Sequence, residues 1–190
     1  MSSDDVTEVC NVYITARTRD TGDVVATRVG HNVWTNAGRE YSCLIKTLGP
    51  NGTSALRDDR IAYIGVGIGN QAETVEVRGL VRPVAYSQGN FLKKINHALT
   101  SFPTSEQRTR VRYVCTFGET DLIPPSGQPE YYSISECGLF TNGSQQTFAA
   151  GSRDIGIANA RAQSPVAYHA FDPIPKLNNL ELEIIWELRH

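Results

Sequence analysis

The sequence predicts a mainly all-β fold, an antiparallel, jelly-roll-like β-sandwich with one short α-helix near residues 37–48. Three observations support this prediction. Apolar and polar residues alternate over several short segments, as in strands that are buried on one face. The 16 glycines and 9 prolines of the 190-residue chain supply turns between those segments. Strands and helices do not alternate along the chain, so a parallel sheet is not expected.

The first two strands are expected to form a hairpin. Residues 9–18 alternate, with Val12 and Ile14 on one face and polar or aromatic side chains on the other. Residues 20–23, Asp-Thr-Gly-Asp, have the composition of a turn. A second strand is therefore predicted over residues 24–34.

The one predicted helix covers residues 37–48. Asn36 is its expected N-cap, and Glu40 is expected in the first turn, where the helix dipole favours an anion. The Gly and Pro residues of positions 49–52 end it. Its apolar stripe consists of Tyr41, Leu44, Ile45 and Leu48.

The rest of the chain supplies more strands. Residues 61–69 form a nearly continuous apolar run, which predicts a strand buried on both faces. Residues 1–8 are polar without periodicity and are expected to form an N-terminal arm, whereas residues 9–190 form a single sandwich domain. The other predicted strands cover residues 75–84, 91–95, 108–117, 131–141, 148–150, 165–171 and 179–190.

Composition argues against several partners. The net charge is −2, without a strong basic excess in either half, so no nucleic-acid binding is expected. No run of about 18 apolar residues and no signal-like N-terminus occur, so we expect a soluble cytoplasmic protein with no membrane partner. The four cysteines form no C-x-x-C pair, and neither a metal nor another cofactor is expected.

The glycines Gly65, Gly67 and Gly69 superficially match a phosphate-binding loop. A dinucleotide fingerprint requires a helix that opens on such glycines, and residues 70–77 do not read as a helix. We therefore interpret them as positions of close strand packing or of a bulge.

No catalytic residue and no small-molecule substrate are predicted, and the chain is expected not to be an enzyme. The four histidines are isolated in sequence, without a spacing typical of metal ligands. One alternative stays open, a hydrolase whose site is assembled from the remote residues His31, Glu136 and Asp154.

Two charged stripes are candidates for an assembly interface. They are Arg108, Arg110 and Arg112 on one predicted strand, and Glu181, Glu183 and Glu187 on the last one. Solvated faces are the simpler interpretation. Alternatively, the stripes pair within a subunit or between neighbours and fix the register of an interface. Charge reversal at Arg110, with rescue by reversal at Glu183, is the test of this hypothesis.

Cys43 lies opposite the apolar stripe of the predicted helix, so it is expected to face solvent or a partner. An exposed thiol suggests an intersubunit disulfide, and a harmless reduced thiol is the alternative.

Several segments together resemble small virion structural proteins of tailed bacteriophages, which decorate the neck, collar or tail or anchor fibres there. The resemblance covers about residues 30–190. The segments that carry it are Asn36-Ala-Gly-Arg-Glu40, residues 61–69, Ile134-Ser-Glu-Cys-Gly-Leu-Phe140, Phe171-Asp-Pro-Ile-Pro-Lys176 and residues 182–188.

The resemblance implies a non-enzymatic protein of the virion, assembled in the host cytoplasm, whose partners are other copies of itself and other virion proteins. Cys137 departs from the apolar residue expected at its position and is either core filler or a second candidate for an intersubunit disulfide. The alternative function is a carbohydrate- or receptor-binding β-sandwich module, with Tyr131, Tyr132 and Phe102 as a stacking platform.

Overall fold

The structure is a computed structural model, and it describes residues 10–48, 61–87, 90–96, 110–125, 130–141 and 164–189. The predicted arm and the predicted strand over residues 148–150 lie outside the described residues. The elements are β1 (Cys10–Thr18), β2 (Val24–His31), β3 (Val33–Trp34), α1 (Asn36–Leu48), β4 (Ile61–Gly67), β5 (Leu92–Lys94), β6 (Arg110–Phe117), β7 (Tyr132–Thr141), β8 (Ala167–Lys176) and β9 (Leu180–Arg189).

The strands form two antiparallel sheets. Sheet 1 has the order β2-β1-β9-β6, and sheet 2 has the order β3-β8-β7-β4-β5. Early strands pair with late ones in a nested manner, since β1 joins β9, β3 joins β8 and β4 joins β7. The predicted all-β sandwich with one short helix is confirmed.

The core lies between the two sheets and follows the alternation of the sequence. In β1, Val12 and Ile14 are fully buried, and in β9 Ile184 and Trp186 are fully buried. Both strands contribute to one apolar cluster that draws on both sheets. Every residue of β4 is buried, as the continuous apolar run predicts.

Helix α1 begins one residue earlier than predicted, and Thr35 rather than Asn36 caps it. The Thr35 hydroxyl accepts a hydrogen bond from the N–H of Gly38 at 3.2 Å, while the Thr35 carbonyl accepts one from Arg39 at 2.9 Å. Asn36 is therefore the first helical residue. The first turn contains no acidic residue, so the placement of Glu40 there was wrong.

Two strand predictions fail for topological reasons. The segment 24–34 breaks at Asn32, because β2 pairs with β1 in sheet 1 whereas β3 pairs with β8 in sheet 2. Residues 75–84 form no strand, and only an isolated bridge joins Pro83 to Gly67.

Strand β8 continues beyond its predicted end and includes Pro173 and Pro175. Proline lacks an N–H donor and is tolerated where a strand has no neighbour on one side. The short β3 pairs only with Ala167 and Tyr168, so the rest of β8 forms a sheet edge on that side. The two prolines lie on this edge.

Candidate functional site

The outer face of sheet 1 carries a row of apolar side chains that crosses all four strands. Tyr13 in β1 lies opposite Val29 in β2 and, on its other side, opposite Ile185 in β9. Ile185 in turn lies opposite Val114 in β6. Directly opposed side chains on one face of a sheet contact one another. These four residues are called the apolar row below.

Exposure increases along the apolar row towards β2. Val114 is only 6% exposed, whereas Val29 at the other end is 64% exposed. Tyr13 and Ile185, between them, are partly exposed. The part of this face that another molecule can reach therefore lies on the β1–β2 side of sheet 1.

Three of the predicted interface residues contact one another within the subunit. Glu187 lies beside Arg112 in the ladder, and its side chain is only 1% exposed. The Nε of Arg110 lies 3.3 Å from one carboxylate oxygen of Glu187, and the Nε of Arg112 lies 3.0 Å from the other. Of the two pairings that the sequence leaves open, these residues form the one within a subunit.

The other charged candidates are placed differently. Glu181 lies opposite Arg17 in β1, and Glu183 lies between Thr15 and Thr116. Arg110 contacts Glu187 rather than Glu183, so within the subunit a charge reversal at Arg110 has Glu187 as its natural rescue partner. Arg108 lies outside the described residues. An intersubunit role for these charges stays a prediction.

The two cysteines proposed for an intersubunit disulfide have opposite environments. The exposed position predicted for Cys43 is confirmed. Cys137 is fully buried in the core, its thiol is not in a disulfide, and burial raises its pKa well above the usual range. A protonated thiol that another subunit cannot reach is a poor partner for disulfide formation. Cys137 is therefore a core residue in this fold, and a disulfide at Cys43 stays a prediction.

Glu136 is fully buried on the outer face of sheet 2, where it accepts hydrogen bonds at both carboxylate oxygens. Oε1 accepts from the backbone N–H groups of Gly69 at 3.1 Å and Arg82 at 2.9 Å. Oε2 accepts from the N–H of Val81 at 3.0 Å and from the Tyr168 hydroxyl at 3.0 Å. These donors compensate the carboxylate for the loss of water.

The Tyr168 hydroxyl is suited to donate a hydrogen bond to Glu136. Burial, reinforced by the neighbouring charge of Glu136, raises the pKa of its phenol, so the hydroxyl stays a donor. With both oxygens of Glu136 occupied, the carboxylate has a structural arrangement rather than that of an exposed general base.

The described residues do not assemble the hydrolase site considered from the sequence. His31 is exposed on β2 at the outer face of sheet 1, and Glu136 faces outward from sheet 2, so the whole sandwich separates them. Asp154 lies outside the described residues.

The glycines of β4 and the residues after it make room for the carboxylate. A Cβ atom at Gly67 would lie 2.7 Å from the carbonyl oxygen of Arg82, and one at Gly69 would lie 2.6 Å from Oε1 of Glu136. Both distances are shorter than a carbon–oxygen contact allows. The glycine pattern therefore serves close packing, as the sequence predicts, around a carboxylate that the sequence analysis did not connect with it.

Residues 68–87, called the covering segment below, cross the outer face of sheet 2. Besides Glu136, the side chain of Glu73 holds them: its Oε1 lies within hydrogen-bond distance of Nδ1 of His169, at 2.7 Å, and accepts from the N–H of Ala170 at 2.7 Å. Leu80 packs against the cluster of Ala62, Tyr63 and Phe140, which are 2–5% exposed. The covering segment thus closes this face within the subunit.

The structure describes two of the three aromatic residues of the proposed stacking platform. Tyr131 is 40% exposed, whereas Tyr132 packs against the core. Phe102 lies outside the described residues. The carbohydrate- or receptor-binding alternative therefore stays a prediction.

In the part of the chain that the structure describes, no group of three or more His, Cys, Asp or Glu side chains is placed to hold a metal ion. No helix among those residues is long and apolar enough to span a membrane.

No protein-family model, no curated protein and no solved structure matches this chain. The resemblance to phage virion proteins thus stays a prediction that depends on the motifs alone.

Proposed function

We propose that this chain is a non-enzymatic structural component of a bacteriophage virion, which assembles as a homo-oligomer at the neck, collar or tail. One observation carries the assembly part of this proposal. Of the seven large hydrophobic side chains that are exposed among the described residues, three lie on the single strand β2: Val24, Val25 and Val29. Clustered exposed apolar side chains are typical of surfaces that bind another protein.

The β-sandwich architecture is compatible with this role, because an open sheet edge provides hydrogen-bonding groups for another chain. The virion part of the proposal rests on the motifs of residues 36–40, 61–69, 134–140, 171–176 and 182–188. Anchoring of fibres is included in it as one form of the same structural role.

Fractionation of particles tests this function. We expect the chain to sediment with intact particles, at a fixed ratio to the major virion proteins by quantitative mass spectrometry. Labelled antibodies should then mark one position, at the neck, collar or tail, in electron micrographs. Absence of the chain from washed particles would contradict the proposal. Binding to a glycan array by the free protein would instead favour the carbohydrate-binding alternative.

A further inference from the structure

The edges of the two sheets differ in how readily they can accept another strand. Sheet 2 ends in β3, of two residues, and β5, of three residues, and both are too short to pair extensively. Beyond β3 the edge of sheet 2 is β8, where Pro173 and Pro175 lack the N–H groups that pairing requires. Sheet 1 ends in β6, with its Arg110 and Arg112 ion pairs, and in β2. β2 has eight residues and no proline, and among the described residues β1 is the only strand paired with it in a ladder.

We infer that β2 pairs with β2 of a second copy of this chain, antiparallel and with Thr27 on the two-fold axis. The inference rests on the proposed function, since it names the contact by which identical copies associate. Such pairing would join two four-stranded sheets into one continuous sheet. It would also satisfy the backbone groups that an edge strand leaves open.

Charge determines the direction of the pairing. Asp20 and Asp23 precede the strand, whereas His31 ends it. Antiparallel copies place the acidic start of one strand beside the histidine at the end of the other. Parallel copies would place like charges together, which is unfavourable. A two-fold axis also makes the contact self-complementary.

The exposed side chains determine the register. A two-fold axis perpendicular to the sheet keeps outward side chains on the outer face, so the axis must pass through one pair of identical residues. With Thr27 on the axis, Val29 lies opposite Val25 of the partner subunit, the residue at which the β1–β2 ladder shifts register by one position. Val25 and Val29 are 52% and 64% exposed. In this register the contact covers both valines of each of the two subunits.

The neighbouring registers are worse. An axis at Arg28 would place Val29 opposite Thr27 of the partner subunit, and an axis at Ala26 would place it opposite Asp23 of the partner subunit, so neither brings two exposed valines together. In the subunit, the Nε of Arg28 donates to the carbonyl oxygen of Asp172 at 3.2 Å. That bond holds the Arg28 side chain towards sheet 2, away from the open edge.

Cysteine pairs test the register. In a Cys10→Ser, Cys43→Ser background, Thr27→Cys should give covalent homodimers on oxidation or with a short bifunctional thiol reagent, because directly opposed residues lie close enough to be linked. Val25→Cys and Val29→Cys should link poorly alone and efficiently when the two variants are mixed. Equal linking by all three variants alone, or by none, would overturn the register.

A second measurement does not depend on cysteine chemistry. Val29→Lys should halve the mass of the smallest assembled unit in light scattering, because two lysines then enter the apolar contact. Val81→Lys is the matched control, since Val81 is a valine that is 48% exposed elsewhere on the surface, and it should keep the wild-type mass. Circular dichroism should show that both variants are folded.

The outcomes separate this inference from the proposed function. If Val29→Lys keeps the wild-type mass while the chain is still found in particles, the β2 contact is wrong and the structural role stands. If the chain is absent from particles but forms the Thr27-linked dimer, the contact is right and the virion role is wrong.

Discussion

The outer faces of the two sheets differ in how far the rest of the chain buries them. On sheet 2 the covering segment buries Tyr63 and Phe140 to 5% exposure or less, and Glu136 fixes the segment in place. On sheet 1 the apolar row ends at Val29, which is 64% exposed. Among the described residues, the chain therefore closes one face by itself and leaves the β2 edge of the other sheet without a neighbouring strand.

The two faces also depend on different physical interactions. Closure of sheet 2 relies on directional hydrogen bonds to a buried charge, whose loss leaves several donors unsatisfied. Among the described residues, Val25 and Val29 on β2 stay 52% and 64% exposed, and the inferred contact between subunits would cover them. Substitutions on the closed face should therefore reduce stability, whereas substitutions on the open edge should reduce association.

The largest effect is expected for Glu136→Gln. The amide retains one acceptor oxygen but turns an NH₂ group towards backbone N–H donors, so the free energy of unfolding should fall by about 3 kcal/mol or more. Denaturant unfolding measures this change. Glu183→Gln is the control, because it makes the same chemical change at a partly exposed position of sheet 1 and should cost less than about 1 kcal/mol. Equal losses would show that Glu136 does not hold the covering segment.

A smaller effect is expected for Gly67→Ala. The added methyl group would press on the carbonyl of Arg82 and on Glu136, so the segment must shift at a cost of about 1–3 kcal/mol. Gly79→Ala makes the same change in the same segment, where no atom lies within 4 Å of the added carbon. Thermal unfolding of the two variants should therefore differ. Matching midpoints would mean that the close packing around Gly67 is not required.

Cys115, which lies in the core between the two sheets, should make the stability of the fold depend on pH. Burial raises the pKa of Cys115 from 9.0 to about 12. Between those values the unfolded thiol loses its proton while the folded one keeps it, so stability falls as the pH rises. Cys115→Ala should reduce the slope of stability against pH by up to about 1.4 kcal/mol per unit in this range. Unfolding curves at pH 8, 9 and 10 provide the measurement, and an unchanged slope would place the thiol in contact with water.

The sequence predicts the strands of this fold better than their arrangement. β1 and β9 follow from alternation, because each has one face in the core and one outside it. Residues 75–84 resemble a strand in their apolar content, yet Val77 and Val84 are buried without a ladder partner. A loop that packs onto a sheet also buries apolar side chains, so its sequence has the apolar content of a strand although it forms none.

Neither face of the candidate site could be assigned from the sequence for a similar reason. The backbone donors to Glu136 come from Gly69, Val81 and Arg82, which are 54 to 67 residues away along the chain. No local pattern connects them. Likewise, the sequence of residues 24–31 does not show which position the strand takes in a sheet, and it is the order of the described strands in sheet 1 that places β2 at the edge.

The smallest effect on the subunit itself is expected for Val29→Lys. A side chain that is 64% exposed contributes little to folding, so the unfolding free energy of the monomer should change by less than about 0.5 kcal/mol. Association complicates the measurement, because a dimer that forms only from folded chains raises the apparent stability with protein concentration.

The concentration dependence is therefore the sharper measurement. The unfolding midpoint of the wild-type protein should rise with concentration, whereas that of Val29→Lys should not, and the two curves should converge on dilution. Convergence assigns the whole effect of Val29 to contact between subunits. A difference that persists at the lowest concentration would instead show that Val29 stabilises its own subunit, and the contrast between a closed face and an open edge would not hold.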